Sequence, residues 1–179
     1  MTTTTDSQDS PLVPVECRFP IIGVVHSPFR EPPGTPIQPS RASGAEGVVQ
    51  VYAPYLDGLR DLEGFERIWL LYWLHRASTG SLLVTPFLDP TPRGVFATRA
   101  PSRPAPIGMS AVRLRQVRGS FLDIEGVDIV DGTPLLDIKP YVPAFDSYPR
   151  SKAGWFDSAK SKRRLADRRF QPEGRGDQP

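Results

Sequence analysis

The chain has 179 residues, 39% of them hydrophobic, and a formal net charge of +2. That suits one domain with polar ends and excludes a polycation that holds nucleic acid by bulk charge alone. One cysteine and two histidines exclude an internal disulfide and a cysteine- or histidine-rich metal cluster, and they fit a reducing cytoplasm.

Residues 1–17 are rich in Thr, Ser, Asp and Pro and read as a disordered tail without a signal-peptide core. The apolar residues Ile21, Ile22, Val24 and Val25 predict a first strand, stopped by Ser27 and Pro28. Residues 31–43 form a loop loaded with Pro and Gly, and residues 47–52 a second strand. Tyr55, Leu59 and Leu62 fall on one face of a short predicted helix over residues 54–62. The run Ile68-Trp69-Leu70-Leu71-Tyr72-Trp73-Leu74 predicts a central strand buried on both faces. No apolar run reaches the ~18–20 residues of a membrane-spanning helix.

Residues 82–85, 95–98 and 111–117 continue the strand pattern. In the last, Val112, Leu114 and Gln116 alternate with Arg113, Arg115 and Val117, one buried row against one wet row. Gly119-Ser120 is a turn, so residues 113–124 predict a hairpin. Residues 126–130 predict another strand, Asp131-Gly132-Thr133-Pro134 a turn, and residues 135–140 a further strand. Many short strands with Pro/Gly loops predict an all-β protein: a single closed or nearly closed antiparallel barrel over residues 18–150, with a few short helices. Residues 151–179 form a basic tail, and residues 158–169 could make a basic helix.

No nucleotide-binding glycine motif and no nucleophile elbow is present, which leaves Rossmann-type and α/β-hydrolase readings without support. The polar residues beside rigid Pro/Gly segments are Gln38, His75, Arg99, Arg103, Asp131, Asp137, Lys139 and Asp146. Pro101, Pro104 and Pro106 restrict the loop that presents Arg99 and Arg103. Fixed guanidinium groups suit carboxylate, phosphate or nucleobase recognition. Each signal also has a plain structural role. His75 can be a hydrogen-bonded strand end, Asp131 the first residue of a turn, and Asp137 with Lys139 a surface pair at period two.

The segments Ile22-Gly23-Val24-Val25-His26-Ser27-Pro28-Phe29, Leu59-Arg60-Asp61-Leu62-Glu63-Gly64-Phe65-Glu66-Arg67-Ile68-Trp69-Leu70-Leu71, Gly94-Val95-Phe96-Ala97-Thr98-Arg99, Arg103-Pro104, Pro106-Ile107-Gly108 and Asp131-Gly132-Thr133-Pro134-Leu135-Leu136-Asp137-Ile138-Lys139-Pro140-Tyr141 occur in this order. Together they resemble the TsaA-like, or TrmO-like, family of tRNA N6-methyladenosine methyltransferases. The resemblance implies an S-adenosylmethionine-dependent enzyme built on a β-barrel, working as a homodimer without metal. The implied acceptor is N6 of threonylcarbamoyl-adenosine beside the anticodon of a threonine tRNA.

Carried over residue by residue, the implied cofactor pocket uses Pro36, Gln38, Leu74, His75, Arg99, Met109, Asp131, Gly132, Thr133 and Pro134. Asp137, Lys139 and Tyr141 form the implied catalytic set at the acceptor, with Asp137 the first candidate base. Arg103 and Asp146 are the implied substrate contacts. The chain departs from the family at Ala100, Ser102, Ala105 and Met109, where Ser, His, Asn and Leu are usual. It departs again at Ile37, where arginine is usual. The altered loop keeps open a same-fold methyltransferase acting on a small molecule, and a barrel that binds the cofactor without turnover. The cluster Lys160, Lys162, Arg163, Arg164, Arg168 and Arg169 is expected to touch phosphates if the acceptor is tRNA, leaving cofactor affinity unchanged if it is removed.

Overall fold

The computed structural model describes residues 17–42, 44–78, 80–159 and 161–171. The expected N-terminal tail, except Cys17, and the basic residue Lys160 lie outside them. The strands are β1 (Gly23–His26), β2 (Glu46–Val51), β3 (Arg67–Trp73), β4 (Leu83–Val84), β5 (Arg93–Gly94), β6 (Ile107–Arg118), β7 (Phe121–Glu125) and β8 (Thr133–Pro140). Six close into a barrel in the order β1-β2-β7-β6-β3-β8, every pair antiparallel. Closure leaves no free edge for another chain to extend. β4 and β5 pair separately.

Alternation fills the barrel. Val25, Val49, Ile68, Leu70, Val112, Leu122, Ile124 and Leu135 point inward and are fully or almost fully buried. Each large aliphatic side chain stabilises the fold by roughly 1.5–3 kcal/mol. β3 departs from the expected burial on both faces. Ile68, Leu70 and Tyr72 are interior, whereas Trp69 and Leu71 are only half-buried and Trp73 is exposed. A small closed barrel has one inside, so the second apolar row of β3 must face outward. The alternation of β6 holds for Val112 and Leu114 and then shifts. A register irregularity between Leu114 and Gln116 leaves Gln116 exposed and turns Val117 toward the core.

Three other expected elements differ. Residues 54–62 form 3-10 helices (Ala53–Leu59 and Leu62–Gly64), separated by Asp61 at φ 65°. The expected strand at 95–98 is a 3-10 turn (Val95–Ala97), because the Thr98 hydroxyl and N–H both donate to the Val95 carbonyl. Residues 126–130 bury Val127 and Ile129 without joining the sheet. The barrel is already closed, so no strand edge remains for them.

Gly108 lies opposite Tyr72 in the β3–β6 ladder, and a β-carbon there would overlap the Tyr72 ring. Gly108→Ala is therefore expected to cost about 1–3 kcal/mol of unfolding free energy. Urea melts compared with the parent check this.

Residues 161–171 do not form the basic helix. The chain takes the tail form, and the tail is docked. Leu165 bridges to Pro36, and Ile37 N–H donates to the Arg164 carbonyl (2.9 Å) and Ala166 N–H to the Thr35 carbonyl (2.8 Å). A 3-10 turn (Arg168–Phe170) then buries Phe170 edge-on against Phe87, with ring centroids 5.1 Å apart. The backbone donors of Gly34, Ile37 and Ala166 thus find partners between the loop and the tail rather than within a helix.

Candidate active site

β1 and β3 end, and β6 and β8 begin, at one mouth of the barrel. The long 27–45 loop, the proline-bearing 98–106 loop and the docked tail meet there and enclose a cavity of about 950 Å³. Its size suits a cofactor or a nucleotide.

The cavity gathers eight of the residues singled out from sequence: Pro36, Gln38, Leu74, His75, Arg99, Arg103, Met109 and Thr133. Arg99 Nη1 donates to Gln38 Oε1 (2.6 Å), joining two loops that are 61 residues apart. Arg103 Nη1 donates back to the Thr98 carbonyl (3.2 Å), which braces the same loop. Desolvation, and then the neighbouring Arg76 guanidinium, hold the His75 imidazole below its usual pKa. Its neutral form is therefore favoured near pH 7.

Asp131 stands behind the wall. Its carboxylate accepts from Ser27 N–H (3.0 Å) and Arg30 Nη1 (3.0 Å), and lies 3.7 Å from His26 Nδ1. It fixes the start of the 27–45 loop. Gly132 takes φ 74° and donates to the Val25 carbonyl, so the turn delivers Thr133 into the cavity lining. Gly132 and Pro134 shape that turn without lining the cavity.

Asp137, Lys139, Tyr141 and Asp146 are not brought to the cavity of their own chain. β8 runs away from the mouth, so six residues past Thr133 it has travelled roughly 20 Å. Asp137 pairs with Lys139 at 2.8 Å and borders a second, smaller depression with Tyr55, Asp61 and Phe65. The Tyr141 ring packs on Trp69 (5.6 Å), and Asp146 accepts from Val142 N–H in the short α1 helix (Pro143–Asp146).

Sequence reasoning missed the polar floor. Asp128 lines the cavity, and its Oδ1 accepts from Ser110 Oγ at 2.6 Å. Ser110 in turn bonds the Tyr72 hydroxyl at 2.9 Å. Desolvation pushes the Asp128 carboxyl up to about 7, against the Ser110 hydrogen bond and the Arg99 charge, which lower it. Burial pushes the Tyr72 phenol up as well. The missed signal was an acid bracketed by Val127 and Ile129, both buried.

The tail is the other missed wall. Trp155, Phe156, Ala166, Asp167 and Phe170 all line the cavity. Trp155 Nε1 donates to the Ala97 carbonyl (2.7 Å), and the Arg93 guanidinium lies over its ring at 5.4 Å. Arg169 Nη1 donates to the Pro86 carbonyl (2.7 Å). Two of the basic residues are already paired: Arg163 and Arg169 each hold Asp167 at 2.8 Å. Among the described residues no cluster of three or more His, Cys, Asp or Glu side chains could hold a metal ion. No helix among them is long and apolar enough to cross a membrane.

A six-stranded antiparallel barrel with a loop-walled cavity at one mouth defines the class of protein. Residues 24–147 match the model of the tRNA-methyltransferase O N-terminal domain, and the chain belongs to that family. A Pyrococcus abyssi protein named a probable S-adenosyl-L-methionine-binding protein is 50% identical over 146 residues, covering 82% of this chain and 79% of that one. The Escherichia coli tRNA (adenine(37)-N6)-methyltransferase is 41% identical over 152 residues, covering 79% of this chain and 65% of that one. The crystal structure of TrmO from Pseudomonas aeruginosa superposes with a TM-score of 0.66 at 38% identity, covering 78% of this chain and 62% of that one. The chain thus spans slightly less than two thirds of these two bacterial proteins. The family match stops at residue 147, so the docked tail lies beyond it.

Proposed function

We propose that the protein is a cytoplasmic S-adenosylmethionine-dependent methyltransferase that methylates N6 of an adenine next to the anticodon of a tRNA, with threonylcarbamoyl-adenosine of the threonine tRNA as the acceptor. The observation that carries the reading is the cavity. It forms where a chain of this family collects Gln38, Leu74, His75, Arg99 and Met109 at one barrel mouth. Relatives are named for binding this cofactor and, in Escherichia coli, for N6-methylation of adenine 37 of tRNA.

The lining suits the donor. Arg99 offers a guanidinium for its carboxylate, and Leu74, Phe87 and Met109 offer apolar surface for its adenosine. When bound, the donor supplies the methyl group as an alkylating sulfonium. The protein's part is to align acceptor and donor and to exclude water, which is worth several kcal/mol of barrier. Arg76, Arg99 and Arg103 among apolar and aromatic lining give a surface on which a splayed-out base and its phosphates can rest.

Asp137, Lys139 and Tyr141 enter this reading through a homodimer. The outer face of β3 and β6 carries a contiguous apolar row in which Trp73, Ile107 and Met109 are 45%, 42% and 46% exposed. Asp137 lies beside Leu71, and Lys139 beside Trp69, on the adjoining strand. A two-fold contact over this face buries the row and sets the three residues at the seam, within reach of an acceptor held by the partner. Trp73→Asp is expected to convert a dimer to monomers in light scattering at micromolar concentration, because it places a charge in the centre of that contact. A parent chain that is already monomeric contradicts the arrangement.

The direct test is transfer of labelled methyl from S-adenosylmethionine to bulk tRNA stripped of this methyl group. Label in an N6-methylated adenosine derivative supports the proposal. Cofactor binding with no label in tRNA favours the small-molecule acceptor, which the Ser102 and Ala105 departures keep in play.

A further inference from the structure

We propose that the Asp128 carboxylate is the cavity's counter-charge for the sulfonium of the donor, so that the pocket separates the cationic cofactor from its neutral thioether product. The inference rests on the donor reading above and goes beyond it in assigning a charge-selective subsite.

Two acids line the cavity among the described residues, Asp128 and Asp167. Asp167 is saturated, since it holds Arg163 and Arg169 at 2.8 Å and also accepts from the Arg169 N–H. Asp128 has a neutral partner instead, Ser110 Oγ at 2.6 Å, and no cation within ion-pair distance among the described residues. Ser110 is itself anchored by Tyr72 across the barrel floor. The carboxylate is therefore fixed in direction and desolvated, and it forms no ion pair among the described residues; the Arg99 charge reaches it only from a distance. A desolvated carboxylate in that condition is costly. A cation entering the cavity removes the cost, and a neutral ligand of the same shape does not.

The groups facing Asp128 leave it as the titrating member. β3 contributes Tyr72, whose phenol is pushed up. β6 contributes Ser110, which carries no charge. The 98–106 loop contributes the Arg99 guanidinium, which draws the acid's pKa down. On its own segment, Asp131 is turned to Ser27, Arg30 and His26. His75 lines the same cavity and titrates low, but donor and product share one amino-acid moiety, so its effect cancels in their ratio. With the carboxyl pushed up to about 7 by burial, the acid is mostly neutral at pH 6 and mostly charged above pH 8. Cation affinity must then rise with pH across this window, while affinity for the neutral product has no such dependence on Asp128.

The test is calorimetry of the full chain with three probes. These are S-adenosylmethionine, the thioether S-adenosylhomocysteine, and sinefungin, in which an ammonium group replaces the sulfonium centre. In the parent protein the preference for S-adenosylmethionine over S-adenosylhomocysteine is expected to grow about tenfold between pH 6 and pH 8.5. Sinefungin should follow the sulfonium. In Asp128→Asn the preference should be smaller and flat with pH. In Ser110→Ala, which keeps the acid but removes its donor, the rise should move to higher pH.

A flat ratio in the parent overturns the assignment, as does an unchanged ratio in the Asn variant. Equal loss of all three probes in a variant that melts like the parent also overturns it, in favour of a purely structural acid. If the Asn variant fails to fold, the parent's pH series and Ser110→Ala still decide. Absence of binding by any probe to the parent is the separate result that removes the donor reading itself.

Discussion

Deleting residues 159–179 is expected to weaken binding of S-adenosylhomocysteine on the order of tenfold, because about 1.4 kcal/mol of lost wall corresponds to a decade of affinity. The deletion removes the Leu165–Pro36 bridge, the backbone hydrogen bonds that brace residues 34–37, and the buried Phe170 ring against Phe87. Burial of one phenylalanine contributes roughly 1.5–3 kcal/mol. The Gln38 side that pairs with Arg99 then loses its support. The sequence led to the opposite expectation, a basic tail whose removal spares the cofactor. Phe170→Ala isolates the packing from the charge and should give a large part of the loss. Calorimetry that returns parental affinity for both variants contradicts a structural role for the tail.

Arg99→Ala is expected to cost roughly ten- to a hundredfold in affinity for the same ligand, the usual worth of a hydrogen-bonded charge. It also frees Gln38, its partner at 2.6 Å, and lets the 27–45 and 98–106 loops separate. Arg99→Lys should recover only part of the loss, because an ammonium group cannot reproduce the planar fork of a guanidinium. Parental affinity in Arg99→Ala, measured by titration calorimetry, removes this residue from the site.

The barrel was legible where burial alternates. Val25, Val112 and Leu114 announce their strands, and Gly119, at φ 60°, announces the β6–β7 hairpin. The misread pieces share a cause. Val95-Phe96-Ala97-Thr98 has strand-forming residues, but one hydroxyl bond to the Val95 carbonyl curls it into a turn. Val127 and Ile129 alternate like a strand, yet closure of the sheet leaves them nothing to pair with. Both outcomes depend on partners distant in sequence, which local patterns do not carry.

The cavity divides the same way. Arg99, His75 and Gln38 stood out because breakers fix them in loops. Asp128 did not, because its importance comes from Ser110 and Tyr72 on two other strands. The tail's apolar residues Leu165 and Phe170 are too sparse for any periodicity. They become legible only once the loops they cover are in place. Asp137, Lys139 and Tyr141 show the reverse: adjacency along β8 and just past its end placed them together, but away from their own cavity.

The central claim is that this barrel methylates N6 of a tRNA adenine. Mass spectrometry of tRNA nucleosides from a strain lacking the gene tests it most directly. The account predicts loss of the N6-methylated form of threonylcarbamoyl-adenosine, a matching gain of the unmethylated nucleoside, and restoration by the intact chain but not by Arg99→Ala. An unchanged nucleoside profile in the deletion strain contradicts it.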